Sequence, residues 1–335
     1  MSETLLQIEN LKTYFDTWAG IVKAVDGVSL DVRRGETLGL VGESGSGKTV
    51  TALSVLRIVP RPGKTIDGRI LFKGEDLLSK TEEEMQKIRG AEMALIFQDP
   101  STSLNPVFSI ETQLVEVIRR HQRISKEDAV EKTEHLLEIV GIPDAKLRMD
   151  EFPHQFSGGM KQRVAIARAL SCEPTLLFAD EPTTNLDVTI QAQILDLMRD
   201  LKSKFDMSMV LITHNMGIVA EMADRVTVMY AGRVCESSDM HKVFTNATHP
   251  YTVALMNAIP RIGIAKQELQ VIPGNIPNLI EPPSGCRFHP RCKYARPNCK
   301  KVVPELEEVE KGHVTACLRW KEIEADLKKE RERAV

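Results

Sequence analysis

Long apolar runs are missing from this chain of 335 residues, and no stretch approaches the roughly 20 residues that a membrane-spanning helix needs. The first ten residues, MSETLLQIEN, also lack the basic and then apolar pattern of a secretion signal. We therefore expect a protein that stays in the cytosol. A formal net charge of −3 leaves no general basic excess, so nucleic acid is not an expected partner.

Cysteine is scarce, but four of the six cysteines crowd into one late segment while Cys172 and Cys235 lie alone. The crowded residues are Cys286, Cys292, Cys299 and Cys317. In a reducing compartment such a cluster indicates metal rather than disulfides, and free thiols or disulfides are the alternatives. Four sulfurs suit either tetrahedral Zn²⁺ or an iron–sulfur cluster, and the long intervals disfavour a common zinc knuckle. His289 and His313 lie close enough in sequence to compete as ligands.

Short apolar segments and helical segments alternate along the chain. ETLGLVG, EMALIF, TLLFAD and MSMVLIT are short and bounded by turn residues, as buried parallel strands are. The earlier segments LLQIENLKTYF and VKAVDGVSLDVRRGE are typical of half-buried antiparallel strands. Between about 99 and 174, apolar residues at helical spacing predict an inserted helical subdomain. We expect an α/β catalytic domain over 1–245 and a small irregular metal-binding extension over 246–335.

The run GESGSGKT at 42–49 lies between a predicted strand and a helical run, the setting of a phosphate-binding P-loop. Its glycines let backbone N–H groups and the helix N-terminus converge on phosphates. Lys48 would reach the β- and γ-phosphates of ATP, and the Thr49 hydroxyl would bind Mg²⁺. The predicted phosphate-binding residues are Gly42, Ser44, Gly45, Ser46, Gly47, Lys48 and Thr49. The fold class is therefore a P-loop NTPase core with an antiparallel β subdomain.

Two adjacent carboxylates, Asp180 and Glu181, end the predicted strand LLFAD. Ligands bind at the carboxyl ends of strands in open α/β sheets, so both side chains are expected at the nucleotide. Asp180 would hold the Mg²⁺ shell, and Glu181 would orient and polarise the attacking water. The alternative for such a pair is a solvated turn.

A second anion site is predicted at Ser157, Gly158 and Gly159, which precede the helical run KQRVAIARAL. By itself this segment is also an ordinary helix N-cap. One chain cannot easily bring this segment and its own P-loop to one phosphate. The simplest arrangement is a head-to-tail dimer in which each P-loop faces the Ser-Gly-Gly segment of the partner.

This order of motifs resembles the ATPase domain of ABC transporters over residues of about 5–245. The resemblance implies that Gln98 reaches the Mg²⁺ and the attacking water, that His214 contacts the γ-phosphate, and that Phe15 or its neighbour Tyr14 stacks on adenine. Residues 185–187, with Asp187 last, resemble the loop that crosses the dimer interface.

The segment at 156–160 departs from the common family form LSGGQ because Phe156 and Met160 replace Leu and Gln. The anion site uses Ser157 and the two glycine backbones, so the mechanism stands.

The segments HPYTVALMNAIP, IPGNIPNL and the four-cysteine segment resemble the C-terminal extension of ATPase subunits from oligopeptide and dipeptide importers. In that subgroup the cysteines are associated with a [4Fe-4S] cluster, with Zn²⁺ as the alternative. The resemblance implies a peripheral subunit on the cytoplasmic face of the membrane. Its partners would be a second ABC ATPase, two membrane permeases and, indirectly, an external peptide-binding protein. The alternatives are import of nickel or other small solutes, a soluble ABC ATPase of translation or repair, and a redox-regulated ATPase module.

Overall fold

The computed structural model describes residues 3–184, 186–258 and 272–334. Two compact units divide the chain: a first unit of Met1–Leu78 with Ile212–Val335, and a second unit of Ser79–Leu211. None of the helices in these described ranges is both long and apolar enough to cross a membrane. The domain bounds predicted at about 99–174 and at 245 remain predictions.

The strands of the described residues are β1 Thr4–Thr17, β2 Gly20–Arg33, β3 Thr37–Val41, β4 Gly63–Phe72, β5 Glu75–Asp76, β6 Met93–Ile96, β7 Leu176–Asp180, β8 Ser208–Thr213, β9 Arg225–Tyr230, β10 Arg233–Asp239, β11 Glu307–Glu310 and β12 His313–Thr315. The α-helices are α1 Lys48–Val55, α2 Glu82–Ile88, α3 Pro100–Ser103, α4 Ile110–His121, α5 Lys126–Ile139, α6 Ala145–Arg148, α7 Gly158–Leu170, α8 Val188–Lys204, α9 Met216–Met222, α10 Met240–Asn246, α11 Pro250–Asn257 and α12 Trp320–Ala334.

The first unit contains an antiparallel sheet in the order β2-β1-β4-β5 and a second run of strands in the order β11-β12-β10-β9-β3. In that second run, β3 and β9 are parallel and all five residues of β3 are buried. Helix α9 packs against β3, where a Cβ on Gly39 would come within 2.5 Å of the Val219 side chain. Glycine therefore lets helix and strand approach closely at the strand that leads into the P-loop.

The second unit contains strands in the order β8-β7-β6, with β6 and β7 parallel, and the helices α4, α5 and α7. The side chains of Ser109 and Ser125 cap α4 and α5 by accepting hydrogen bonds from backbone N–H groups. Fully buried Leu114, Leu137 and Val164, one from each helix, contribute to the core of this helical region. The predicted helical segment forms α4, α5 and α7, and parallel pairing is confirmed for the predicted strands β3, β6 and β7.

The C-terminal extension is more regular than the sequence predicts. Strand β12 pairs with β10 and with β11, so a short hairpin from the extension continues the sheet. The charged segment after β12 forms the helix α12 and buries Ile323 and Leu327. These apolar side chains are four residues apart on one helix face, and their burial holds the helix in place.

Candidate nucleotide-binding site

The predicted P-loop joins β3 to α1, as its sequence setting requires. Gly47 has φ +104°, and a Cβ at this position would lie 2.4 Å from the Ala24 carbonyl oxygen. Only glycine fits this left-handed position against the neighbouring backbone. The loop thus begins α1 with exposed residues at Ser44, Gly45 and Thr49 and with a buried Ser46.

Lys48 lies across the loop rather than pointing to solvent. Its ammonium group donates to the carbonyl oxygens of Gly42 at 2.7 Å and Glu43 at 3.0 Å. The side chain is thereby held against the backbone of the P-loop. A lysine at this place can supply positive charge to a bound phosphate, and the exposed Thr49 hydroxyl next to it is a ligand type that Mg²⁺ accepts.

Phe15 and Tyr14 near the end of β1 are distinguished by their contacts. A Cβ on Gly63 would lie 2.5 Å from the Phe15 ring, so this ring packs over Gly63 in β4. The Tyr14 hydroxyl instead donates to the Asp26 carboxylate at 2.6 Å, and burial together with this bond raises the pKa of Tyr14 to about 12. The anchored Tyr14 favours Phe15 for the stacking role, which remains a prediction.

In the second unit, Asp180 ends β7 and is buried, and Glu181 follows it with φ +45°. A positive φ is uncommon for a residue with a side chain and costs on the order of 1–3 kcal/mol, so the surrounding contacts must hold Glu181 in this conformation. Oxygen Oε2 of Glu181 accepts hydrogen bonds from Gln98 Nε2 at 3.0 Å and from the Thr184 hydroxyl at 2.9 Å. The structure therefore brings together Gln98 and Glu181, which the sequence assigned to the same water molecule.

The Ser-Gly-Gly segment begins α7, with Ser157 as the N-cap and with Ser157 and Gly158 exposed. A Cβ on Gly159 would meet the Ile190 side chain at 2.8 Å, so glycine here allows α8 to pack close to α7. Phe156, which replaces the usual leucine, is buried and fixes the start of the segment. The N-cap role is established, and an exposed helix start remains open to an anion.

Asp187 caps α8 by accepting the Ile190 N–H at 3.0 Å, whereas Asn185 lies outside the described residues. His214 follows β8 directly and is exposed. The candidate residues thus divide between the units. Phe15, the P-loop and His214 belong to the first unit, and Gln98, the Ser-Gly-Gly segment, Asp180, Glu181 and Asp187 belong to the second.

Comparison with known proteins decides the family. A family model described as ABC transporter matches residues 25–184, and one described as oligopeptide/dipeptide transporter, C-terminal region, matches residues 235–299. The dipeptide transport ATP-binding protein DppD of Bacillus subtilis is 47% identical over 94% of this chain and 94% of its own length. The oligopeptide transport ATP-binding protein OppD of the same organism is 48% identical over 92% of this chain and 87% of its own.

The chain belongs to the ABC transporter ATP-binding family. A protein of Brucella melitensis is 50% identical over 96% of the chain and 99% of its own length. Its name describes it as a peptide import ATP-binding protein. Among solved structures, a dimeric ATP-binding cassette in a post-hydrolysis state with ADP and Pi matches with a TM-score of 0.64 and 24% identity, over 70% of this chain and 99% of that one. An ABC transporter component from Clostridium perfringens matches with a TM-score of 0.62 and 27% identity, over 72% of this chain and 91% of that one. The predicted P-loop fold, family and ATPase class are confirmed.

The four clustered cysteines of this ABC ATPase line one cavity of about 20 Å³. Burial raises the pKa of Cys292 to about 11 and that of Cys317 to about 12. Cys235, which appears isolated in the sequence, is buried in the hydrophobic core against which Cys286, Cys292 and Cys317 pack. Four thiols are a donor set that suits an iron–sulfur cluster or Zn²⁺. Across residues 3–184, 186–258 and 272–334, however, no group of three or more His, Cys, Asp or Glu is placed to hold a metal ion, so the arrangement of these side chains does not show the predicted cluster.

The extension also contributes contacts that the sequence did not predict. Asp26 of β2 accepts hydrogen bonds from Tyr14, Arg233 and, in the cysteine segment, Arg287. Burial alone would raise the pKa of Asp26, but the bonds from Tyr14 and Arg233 and the charge of Arg287 outweigh it and lower that pKa. A second arginine of this segment, Arg291, contacts the P-loop residue Glu43. Pairs so far apart along the chain leave no local pattern in the sequence.

Proposed function

We propose that this ABC ATPase powers the import of dipeptides or oligopeptides through separate membrane proteins. The observation that carries this proposal is the similarity over nearly the whole chain to ATP-binding proteins of dipeptide and oligopeptide transport, including the C-terminal region particular to them. The subunit would lie on the cytoplasmic face of the membrane, paired with a second ABC ATPase and docked on two permeases. An external binding protein would deliver the peptide.

For the chemistry we propose a divided site that two subunits complete. The P-loop with Lys48 would cradle the triphosphate, while Thr49, Asp180 and Gln98 would hold Mg²⁺. Glu181 would polarise the attacking water, a role that its bond to Gln98 supports. The other proposed contacts complete the site. Phe15 would stack on adenine, His214 would contact the γ-phosphate, and Asp187 would lie at the dimer interface. The segment Ser157, Gly158 and Gly159 would contact the γ-phosphate of the ATP bound by the P-loop of the partner.

The permease contact is proposed at an exposed apolar patch of the second unit, formed by Val107, Phe108, Leu147 and Phe152. The side chains of Phe108 and Leu147 are 47% and 76% exposed. Backbone hydrogen bonds from Ile110 to Glu151 at 3.0 Å and from Glu111 to Met149 at 2.8 Å place the two parts of the patch on adjacent segments. Exposed apolar patches of this kind are characteristic of protein–protein contacts.

The test of the import function is peptide uptake by a host strain that lacks this chain. Uptake of a labelled dipeptide and a labelled tripeptide should return with the wild-type chain and stay absent with Glu181→Gln. Labelled Ni²⁺ is taken up in parallel. Restored Ni²⁺ uptake without restored peptide uptake would refute the proposal and favour the small-solute alternative.

We also infer that the four cysteines form one metal site, of iron–sulfur type or with Zn²⁺. What supports the inference is the one cavity that all four cysteines line and the resemblance of this segment to the C-terminal region of the family, whose match includes Cys286, Cys292 and Cys299. Protein purified without oxygen should carry about four irons or one zinc per chain, and Cys292→Ser should lower this content. Cys172→Ser, which changes a cysteine outside the cluster, should not. The inference would be refuted if protein purified without oxygen contained neither iron nor zinc and Cys292→Ser were as stable as the wild type.

A further inference from the structure

Two side chains of the C-terminal extension hold one residue of the P-loop from outside. Arg291 donates from Nη1 to both carboxylate oxygens of Glu43, each at 3.0 Å. The backbone N–H of Glu43 donates to the Tyr251 hydroxyl at 2.9 Å. Glu43 is the second residue of the GESGSGKT run. The extension therefore contacts both the backbone and the side chain of the phosphate-binding loop.

These two side chains are themselves fixed. Arg291 also donates to the carbonyl oxygens of Pro273 at 2.8 Å and Ile272 at 3.1 Å, and its side chain is only 5% exposed. Tyr251 is fully buried and packs edge-on against Tyr230, with ring centroids 4.7 Å apart. Both side chains are already immobilised, the Arg291 guanidinium by its several acceptors and the Tyr251 ring by burial. They therefore lose little conformational freedom when they bind Glu43. The contact is thus a rigid support rather than a flexible surface pair.

A second link runs from the same extension to the other end of the loop. The Gly232 N–H donates to the Ser46 carbonyl oxygen at 2.8 Å. The preceding carbonyl, that of Ala231, accepts a hydrogen bond from Arg287, which lies four residues before Arg291 in the cysteine segment. Arg287 thereby fixes the turn that holds Ser46. Both Glu43 and Ser46 depend on arginines of one short segment.

The charge of Arg291 also favours the binding of a triphosphate. The Glu43 carboxylate belongs to a loop built to receive a triphosphate, and a bare carboxylate there would repel it. The guanidinium of Arg291 neutralises that charge and keeps the loop in position. We propose that Arg291 and Tyr251 are positioning residues for the P-loop, acting through Glu43, and that the extension thereby sets the affinity for ATP. This inference rests on the proposed role of the P-loop as the ATP site.

The test compares ATP affinity among variants of the full-length chain, together with KM and kcat. Arg291→Ala should raise the Kd for ATP and the KM by about tenfold, with kcat little changed. Adding Glu43→Gln to this variant should restore most of the affinity, because the uncompensated carboxylate is then gone. Arg291→Lys should keep part of the affinity, since it retains the charge but loses the bonds from Nε and Nη2 to Pro273 and Ile272 that hold the side chain in place. Arg296→Ala removes an exposed arginine of the same segment and is the matched control.

A purely structural role of Arg291 would lower thermal stability and would not be rescued by Glu43→Gln. If Arg291→Ala fails to fold, then Arg291→Lys and Tyr251→Phe decide, and each should weaken ATP binding by a few fold. The inference is overturned if Arg291→Ala binds ATP like wild type while Lys48→Ala has lost tight binding. If Lys48→Ala also binds like wild type, the assignment of the P-loop itself fails instead.

Discussion

Replacing Glu181 with glutamine should stop hydrolysis and leave both folding and ATP binding intact. The hydrogen bonds from Gln98 and Thr184 end on the same oxygen of Glu181, at 3.0 and 2.9 Å. A glutamine whose amide oxygen takes this position can accept both bonds, because a carbonyl oxygen has two lone pairs. The positive φ of this residue also stays as it is. The change therefore removes the base and little else.

The magnitude follows from the role assigned to Glu181. Loss of a general base costs about 10²- to 10⁴-fold in rate, which corresponds to roughly 2.7 to 5.4 kcal/mol of barrier. Phosphate release by the purified variant should fall by this factor, while the Kd for ATP should match that of wild type. With ATP and Mg²⁺ the variant should accumulate as a stable dimer in size-exclusion chromatography, because the closed state no longer turns over.

Glu181→Ala is the control for this experiment. It also removes the acceptor for Gln98 and Thr184, so it should lower the melting temperature, whereas Glu181→Gln should not. Turnover of the glutamine variant within about threefold of wild type would remove Glu181 from the role of base. A fall in both turnover and ATP affinity would indicate that Glu181 positions the nucleotide rather than the water.

Two further outcomes are expected. Phe108→Asp should reduce co-purification with the permeases while basal ATPase activity stays at the wild-type level. The control is Val302→Asp, which places a charge on an exposed apolar residue of the other unit. If both variants reduce co-purification equally, the proposed role of the patch as the permease contact is refuted. Burial lowers the pKa of His249 to about 4, and the carboxylate of Glu236 only partly opposes this. The unfolded chain therefore takes up a proton near pH 6.5 and the folded chain near pH 4, so the free energy of unfolding should fall by about 3 kcal/mol as the pH drops through that window. His249→Asn, which can keep the N-cap of α11, should flatten this dependence in denaturant titrations at several pH values, and an unchanged slope would refute the assignment.

Local sequence patterns predicted much of the fold because each depends on neighbouring residues alone. The buried strands β3, β6, β7 and β8 lie where short apolar runs indicated them. A local turn also joins β9 to β10, with positive φ values at Ala231 and Gly232. The strands β11 and β12 gave no such indication, since they are only four and three residues long and β11 carries three glutamates. The place of this hairpin in the sheet depends on the pairing of β12 with β10, in which Glu236 lies opposite Thr315, rather than on its own composition.

In the candidate site, too, local motifs could be predicted from the sequence, whereas contacts between distant segments could not. The P-loop could be recognised because its function lies in backbone geometry that glycines at fixed spacing dictate. The bond between Glu43 and Arg291 joins residues 248 positions apart, and each of them alone resembles an ordinary solvated charge. The P-loop motif therefore predicts the chemistry of the loop. The rigidity of the loop depends on contacts from distant segments, which the motif does not show. Because binding energy depends on how well the loop is positioned before ATP arrives, the extension can change affinity without changing the catalytic residues.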